Sequence, residues 1–391
     1  MSRFAHYFSI VAALILGAFI VAFSGHTAVS HVPATAIPAT PSTLSVLPGS
    51  VASTSLDSSK SATTTRSEQA APVPAQKKPA ASPAPAFTAP PAPLSTSTPP
   101  AAKPVSTPAP LPSSGNAEFD ASAVALRAAL VNIICYAPAG SGLHSISGSG
   151  VFISPKGIIL TNAHIAQYFL LFNRGVSCTI RSGSPAVSRY SAKLVFISSA
   201  WVRANTGVLT ETAPSGTGEY DFALLAVDTS VTADPLPDPF SFVPLATAPP
   251  ASGTPVVIAS YGAQFLDLSQ VQHDLFPTVV FGSVKNVFTF GTNTIDVLAL
   301  GGSAAAQEGS SGGGVSNAAG TLVGTITTST VQGATATRSL SAITASYIRA
   351  EYASETGQAL DLLLAESTST AIANFAPQMP PLESVLTAAL P

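Results

Sequence analysis

Hydrophobic and polar positions divide the chain into three zones. An uncharged apolar run occupies residues 8–23, a stretch of Ala, Pro, Ser and Thr with almost no aromatic residues covers 26–114, and short apolar runs fill the remainder. Short β-rich runs separated by Gly, Ser, Asn and Pro are typical of an all-β barrel or sandwich. We predict strands at 150–153, 158–161, 176–180, 192–197, 222–227, 255–260, 278–281, 295–300 and 322–327.

Two stretches depart from this β pattern. Residues 118–131 have the composition of a short helix and precede the apolar run 131–136, where we expect the folded domain to begin. Residues 344–365 carry an apolar stripe at helical spacing. The sequence therefore predicts one folded domain, 116–391, which is all-β with a C-terminal helix.

The first zone, 1–25, has the features of an export segment. Arg3 precedes the apolar run, as a basic residue does in signal peptides. The run is long for the core of a signal peptide and slightly short for a spanning helix, and Ala22-Phe23-Ser24 matches a cleavage site only loosely. We therefore favour an uncleaved anchor in the cytoplasmic membrane, with the rest of the chain outside; a cleaved signal would make the protein secreted.

The second zone, 26–115, is predicted to be a disordered linker. It holds about half of the 34 prolines, and a segment with so few large apolar side chains buries too little surface to offset the conformational entropy lost on folding. The linker is expected to tether the folded domain to the anchor.

Composition excludes several classes of partner. Charged residues make up 9% of the chain and the net charge is −3, so nucleic acid is not expected as a ligand. Two cysteines, Cys135 and Cys178, are too few for a disulfide framework or a four-ligand zinc site. We predict no metal and no cofactor.

Three short segments contain the residues that can perform chemistry. GSGVFISPKGIILTNAHIA at 148–166 places His164 at the end of a strand, EYDFALLAV at 219–227 places Asp221 just before a strand, and EGSSGGGV at 308–315 surrounds Ser311 with glycines. Each segment alone has an ordinary explanation as a core histidine, a turn aspartate or a flexible loop. Glycines beside a serine also permit the tight turn that an oxyanion hole requires.

The order of these residues excludes two other hydrolase classes. Residues 309–313 also satisfy G-x-S-x-G, but α/β-hydrolases place their histidine after the serine, and no histidine follows His273. A subtilisin order requires an aspartate before the histidine, where only Asp120 lies between the linker and His164, in a helical context.

Together the segments resemble the trypsin-like serine protease superfamily, especially the bacterial exported branch related to the HtrA proteases. The resemblance is carried by TNAH at 161–164, DFALL at 221–225 and GSSGG at 309–313, in the family's order, and covers about 132–330. It implies a trypsin-like (chymotrypsin-type) fold of two six-stranded antiparallel β-barrels. It also implies a serine endopeptidase that acts on polypeptide substrates.

The resemblance also assigns roles to particular residues. It implies a catalytic triad of His164, Asp221 and Ser311, with the backbone N–H groups of Gly309 and Ser311 as the oxyanion hole. It places the floor of the specificity pocket at Ala305 and the pocket wall at Thr327, Thr328 and Ser329. Because none of these pocket residues is charged, we expect small or medium apolar side chains before the scissile bond.

Two departures limit the resemblance. Gly314 stands where the family usually has proline, and no PDZ domain is expected after the last barrel strand. The alternative function is a catalytically inactive trypsin-like protein that binds peptides or cell-wall components. An intact triad favours the enzyme.

The two cysteines leave two alternatives. Cys135 lies in the first apolar run and Cys178 in the strand that follows His164, so an antiparallel arrangement would bring them together. The compartment of an exported protein permits a disulfide. Two small buried thiols are the other alternative, since unpaired cysteines pack well in cores.

Overall fold

The structure is a computed structural model that describes residues 110–211, 216–329 and 332–390, without the side chains of Thr328 and Ser329. The predicted anchor and nearly all of the predicted linker lie outside the described residues. The strands are β1 Leu130–Tyr136, β2 Ile146–Phe152, β3 Ile158–Thr161, β4 Ser177–Gly183, β5 Ala186–Ile197, β6 Ala223–Ser230, β7 Pro255–Ser260, β8 Thr278–Ser283, β9 Asn286–Phe288, β10 Val297–Ala299, β11 Gly314–Ser316, β12 Leu322–Ser329 and β13 Leu340–Thr344.

Helices lie at both ends of the domain and in its connections. They are α1 Ala117–Ala129, α2 Ala163–Ala166, α3 Ser199–Ala204, α4 Leu268–His273, α5 Ala345–Thr356, α6 Leu360–Ala365, α7 Thr368–Phe375 and α8 Met379–Thr387, with 3₁₀ segments at Gln167–Arg174, Thr335–Thr337 and Ala376–Gln378. In the described residues, no helix is long and apolar enough to cross a membrane.

The first six strands close into an antiparallel barrel in the order β1-β2-β3-β6-β5-β4. Strand β6 is buried from Ala223 to Val227 without alternation, because its inner side faces the barrel core while α7 packs against the outer side. A strand covered on both faces reads as a continuous apolar run. This is why the 222–227 run could be recognised in the sequence.

The remaining strands form one curled seven-stranded sheet in the order β8-β7-β11-β12-β13-β10-β9. The predicted fold class is confirmed, although the second unit is a curled sheet of seven strands, whereas we expected a six-stranded barrel. The two units meet closely at Gly314: a Cβ there would lie 2.7 Å from Leu126 Cδ1 and 3.0 Å from Val151 Cγ2. The absence of a side chain lets β11 approach α1 and β2.

The C-terminal segment is more helical than predicted. The single helix expected at 344–365 is two helices, because Gly357 takes a left-handed conformation (φ 72°) and ends α5. Helix α7 then packs on β5 and β6, and α8 packs on the 3₁₀ segment after α2. The end of the chain therefore covers the first barrel rather than the second sheet.

Cys135 and Cys178 are joined by a disulfide. They stand directly opposite each other where β1 pairs with β4 in antiparallel register. The bridge therefore links two neighbouring strands of the closed barrel.

Candidate active site

His164 is held in a single helical turn directly after β3. The carbonyl oxygen of Asn162 accepts the backbone N–H of Ala166 at 2.9 Å, which begins α2, and the Asn162 Nδ2 donates to the carbonyl of Asp221 at 2.8 Å. The side chain of Asn162 thus holds the strand end of β3 against the start of β6. His164 is 5% exposed, so its ring is fixed by packing on most sides.

Asp221 binds both the ring and the backbone of His164. The His164 Nδ1 lies 2.8 Å from Asp221 Oδ2, and the His164 backbone N–H donates to Oδ1 at 3.0 Å. The Thr327 hydroxyl donates to the same Oδ2 at 2.8 Å. Since a carboxylate on Nδ1 keeps the proton there, the other ring nitrogen, Nε2, is left free to accept a proton.

The backbone before Asp221 is also constrained. Tyr220 has a positive φ of 56°, a conformation that costs energy for a bulky residue. Its backbone N–H donates to the Tyr347 hydroxyl at 3.1 Å, and the backbone N–H of Asp221 donates to the carbonyl of Gly218 at 3.2 Å. Helix α5 of the second unit therefore helps to hold the aspartate that the first barrel carries.

Ser311 lies in a loop whose glycines are required by geometry. Gly309 and Gly312 have φ values of 88° and 83°. A Cβ on Gly312 would lie 1.9 Å from the Ser149 carbonyl oxygen, and one on Gly309 would lie 2.7 Å from the Tyr261 carbonyl oxygen. Any larger residue would clash with backbone atoms, so the loop keeps its turn only with glycine at both positions.

Two backbone N–H groups in this loop are unpaired. The Glu308 carbonyl accepts the Ala263 N–H at 2.8 Å, and because a trans peptide is planar, the N–H of Gly309 must point the opposite way. Among the described residues, neither the Gly309 N–H nor the Ser311 N–H makes a hydrogen bond. Two unpaired N–H groups beside a serine are the donors that a developing oxyanion needs.

Ser311 and the residue that follows His164 border one cleft. Ser311 lines it together with Gly309 from the loop and Ile165, the residue after His164. Within the described ranges, no hydrogen bond joins the Ser311 side chain to the His164 ring. Such contacts are often long without substrate and tighten when it binds.

The predicted pocket residues lie in different environments. Ala305 is completely buried in the core of the second sheet, and the Thr327 side chain, 1% exposed, binds Asp221. Thr328 and Ser329 end β12, and their side chains are not described. Near Ala305 the structure also places Arg338, whose Nη1 donates to the Ala306 carbonyl at 2.7 Å.

Sequence reasoning missed several residues of this site. Ser149 binds the loop that carries Ser311 through its hydroxyl, which donates to the Gly309 carbonyl at 2.8 Å. Ser310 is buried, and its hydroxyl accepts from Ser260 at 3.1 Å. Glu308 lines the cleft, and its burial raises the pKa of the carboxyl to about 7, although Arg338 acts to lower it. The only signal for Glu308 and Ser310 was their place next to Ser311.

The described residues contain no cluster of three or more His, Cys, Asp or Glu side chains that could hold a metal ion.

A closed antiparallel barrel and a second curled sheet, with a His–Asp pair on one and a glycine-flanked serine on the other, define the trypsin-like class of serine hydrolases. Residues 148–324 match the family model described as the trypsin-like peptidase domain. The match shows a trypsin-like peptidase domain at these residues.

Solved structures of one mycobacterial protease are similar to the chain. The active form of the Rv3671c protease from M. tuberculosis shows 20% identity and a TM-score of 0.39, covering 65% of this chain and 89% of that one. A mutant of the same protease in its inactive form shows 19% identity and a TM-score of 0.38, covering 64% and 95%. The chain matches no curated protein sequence.

Proposed function

We propose that this protein is a serine endopeptidase in which His164, Asp221 and Ser311 form the catalytic triad. The observation that carries the proposal is the pair of unpaired N–H groups on Gly309 and Ser311, beside a serine that borders the same cleft as the His164 segment. Both N–H groups therefore lie on the same short loop as the Ser311 side chain, where a developing oxyanion would need donors.

The geometry supports an acyl-enzyme mechanism. His164 Nε2 takes the proton of Ser311 Oγ as that oxygen attacks the peptide carbonyl, and the protonated ring then gives the proton to the leaving amine. Asp221 keeps the ring oriented and stabilises its positive charge, while Thr327 holds Asp221. The Gly309 and Ser311 N–H groups stabilise the oxyanion, each by about 3–4 kcal/mol in sites of this type. Water then releases the acyl group by the same steps.

The test is covalent labelling and peptide hydrolysis by the full-length protein. A fluorophosphonate probe should label the wild type at Ser311, and casein peptides should be cleaved within their chains. Ser311→Ala removes one hydroxyl with almost no cavity, so it should stay folded and lose labelling and at least about 10⁴-fold in kcat. Ser252→Ala, at an exposed serine outside the site, is the matched control. Cleavage at the wild-type rate by Ser311→Ala would refute the assignment.

We also propose that the catalytic domain lies outside the cytoplasmic membrane, held there by residues 1–25. The apolar run after Arg3 supports this orientation, and the disulfide fits an oxidising compartment. Protease added to intact cells should release a fragment that is cut within 26–114 and carries the triad. A domain protected until lysis would contradict the proposed orientation.

A further inference from the structure

A single carboxyl group borders the cleft beside the nucleophile. The cleft is lined on one side by Glu308, Gly309 and Ser311, and on the other by Ile146, Ser147 and Ile165. The remaining lining residues, Ser145 and Ala263, are uncharged. Glu308 is therefore the one ionisable carboxyl among the residues that line this cleft.

Glu308 has no partner within the described part of the chain. Its side chain takes part in no hydrogen bond and no ion pair there, although the residue is half-buried. Most polar groups that leave water find a partner within the protein. The unpaired Glu308 carboxyl, beside the reacting serine, is therefore available to bind a substrate group that enters the cleft.

The cation whose charge acts on Glu308 is already hydrogen-bonded elsewhere. Arg338 is 6% exposed, and its guanidinium donates to the carbonyl oxygens of Gly333 and Ala306 and to the side chain of Gln264. It acts on Glu308 through its charge but forms no hydrogen bond with it among the described contacts. Arg338 therefore leaves the Glu308 carboxylate available to a positively charged side chain of the substrate.

The position of the cleft indicates which part of the substrate enters it. Ile146 and Ser147 belong to β2 of the first barrel, and Ile165 follows the histidine that protonates the leaving amine. The specificity pocket that the family resemblance implies for the residue before the scissile bond has its wall at the end of β12, which belongs to the second sheet. The cleft therefore receives the residues that follow the scissile bond.

We infer that Glu308 selects substrates that carry lysine or arginine at the first or second position after the scissile bond. The inference rests on the proposed function, since it concerns the same site. A charged hydrogen bond made by a partly desolvated carboxylate should change kcat/KM by about tenfold relative to an uncharged side chain of similar length. A glutamate at the same position should be disfavoured by repulsion.

The experiment uses the full-length protein and a set of internally quenched peptides that differ only at those two positions, which carry lysine, methionine or glutamate. The measured quantity is the ratio of kcat/KM for the lysine and glutamate peptides at pH 8, with the cleaved bond identified by mass spectrometry. Because the ratio compares two substrates on one enzyme, any general loss of active protein cancels.

The wild type should prefer lysine by about tenfold or more, Glu308→Gln should bring the ratio close to one, and Glu308→Lys should invert it. Glu118→Gln removes the same charge from an exposed residue of α1 and should keep the wild-type ratio. A ratio that Glu308→Gln leaves unchanged would overturn this inference alone. Absence of Ser311-dependent cleavage of every peptide would overturn the proposed function and this inference with it.

Discussion

The backbone N–H of Ser149 donates a 2.7 Å hydrogen bond to the carbonyl oxygen of Ser311. This bond joins β2 of the first barrel to the Ser311 loop of the second unit. The Ser149 hydroxyl adds two further contacts, because it donates to the Gly309 carbonyl and accepts the Tyr261 N–H, each at 2.8 Å. One residue of the first barrel thereby holds the carbonyl groups of Gly309 and Ser311, the two residues whose N–H groups are unpaired.

Ser149→Ala should reduce catalysis more than it reduces stability. The change removes the two hydroxyl contacts, which should lower the free energy of unfolding by about 1–2 kcal/mol. The Gly309 peptide would then be less fixed, and kcat should fall by about 10- to 100-fold, since small displacements of catalytic groups are costly. Steady-state kinetics and denaturant unfolding measure the two effects. An unchanged kcat would show that the loop holds its shape without Ser149.

Thr327→Val should lower kcat through Asp221. The hydroxyl that donates to Oδ2 would be replaced by a methyl group of similar size, leaving the carboxylate with fewer donors. A hydrogen bond to a charged group contributes about 1.5–3 kcal/mol, so kcat should fall by roughly tenfold or more with little change in KM. Thr327→Ser keeps a hydroxyl and should restore most of the activity. Thr229→Val, at an exposed residue of β6, is the control.

The preference for lysine after the scissile bond should depend on pH. Burial raises the pKa of Glu308 to about 7, so the carboxyl is largely protonated at pH 6 and ionised at pH 8. The lysine-to-glutamate ratio should therefore rise with pH through about 7. Effects of pH that are common to both substrates cancel in the ratio. A ratio that is flat from pH 6 to pH 8, or equally steep in Glu308→Gln, would contradict this prediction.

Opening the disulfide should destabilise the first barrel. The bridge between Cys135 and Cys178 spans 43 positions, and the chain-entropy relation gives about 4 kcal/mol for a loop of that length. Reduction should therefore lower the melting temperature markedly, and Cys135→Ala with Cys178→Ala should reproduce the shift without a reductant. Intact mass after alkylation under denaturing conditions should count no free thiols before reduction and two after it.

Local motifs made part of this structure predictable. Strands β3 and β6 were found because each is a continuous apolar run buried on both faces. The segments around His164, Asp221 and Ser311 can be recognised because each is a short motif of consecutive residues. In each case the information lies within a few positions of the chain.

Other parts depend on distant partners. Strand β11 has three residues and begins with Gly314, and it is a strand because β7 and β12 pair with it on both sides. Thr327 reads as one polar residue in a β-run, yet it meets Asp221 across 106 positions. Such contacts depend on the packing of the two units. The residues near them in the sequence therefore do not predict them.

The last helices have a consequence for the order in which the protein is completed. The Ser154 hydroxyl donates to the Leu364 carbonyl across 210 positions, and Phe375 and Leu386 are buried against earlier parts of the domain. A ribosome that has reached Gly357 has already made His164, Asp221 and Ser311. The barrel that carries His164 and Asp221 still lacks its outer cover at that moment. A chain released there would expose the apolar surface that α7 and α8 cover. The folded first barrel therefore depends on the synthesis of these last helices.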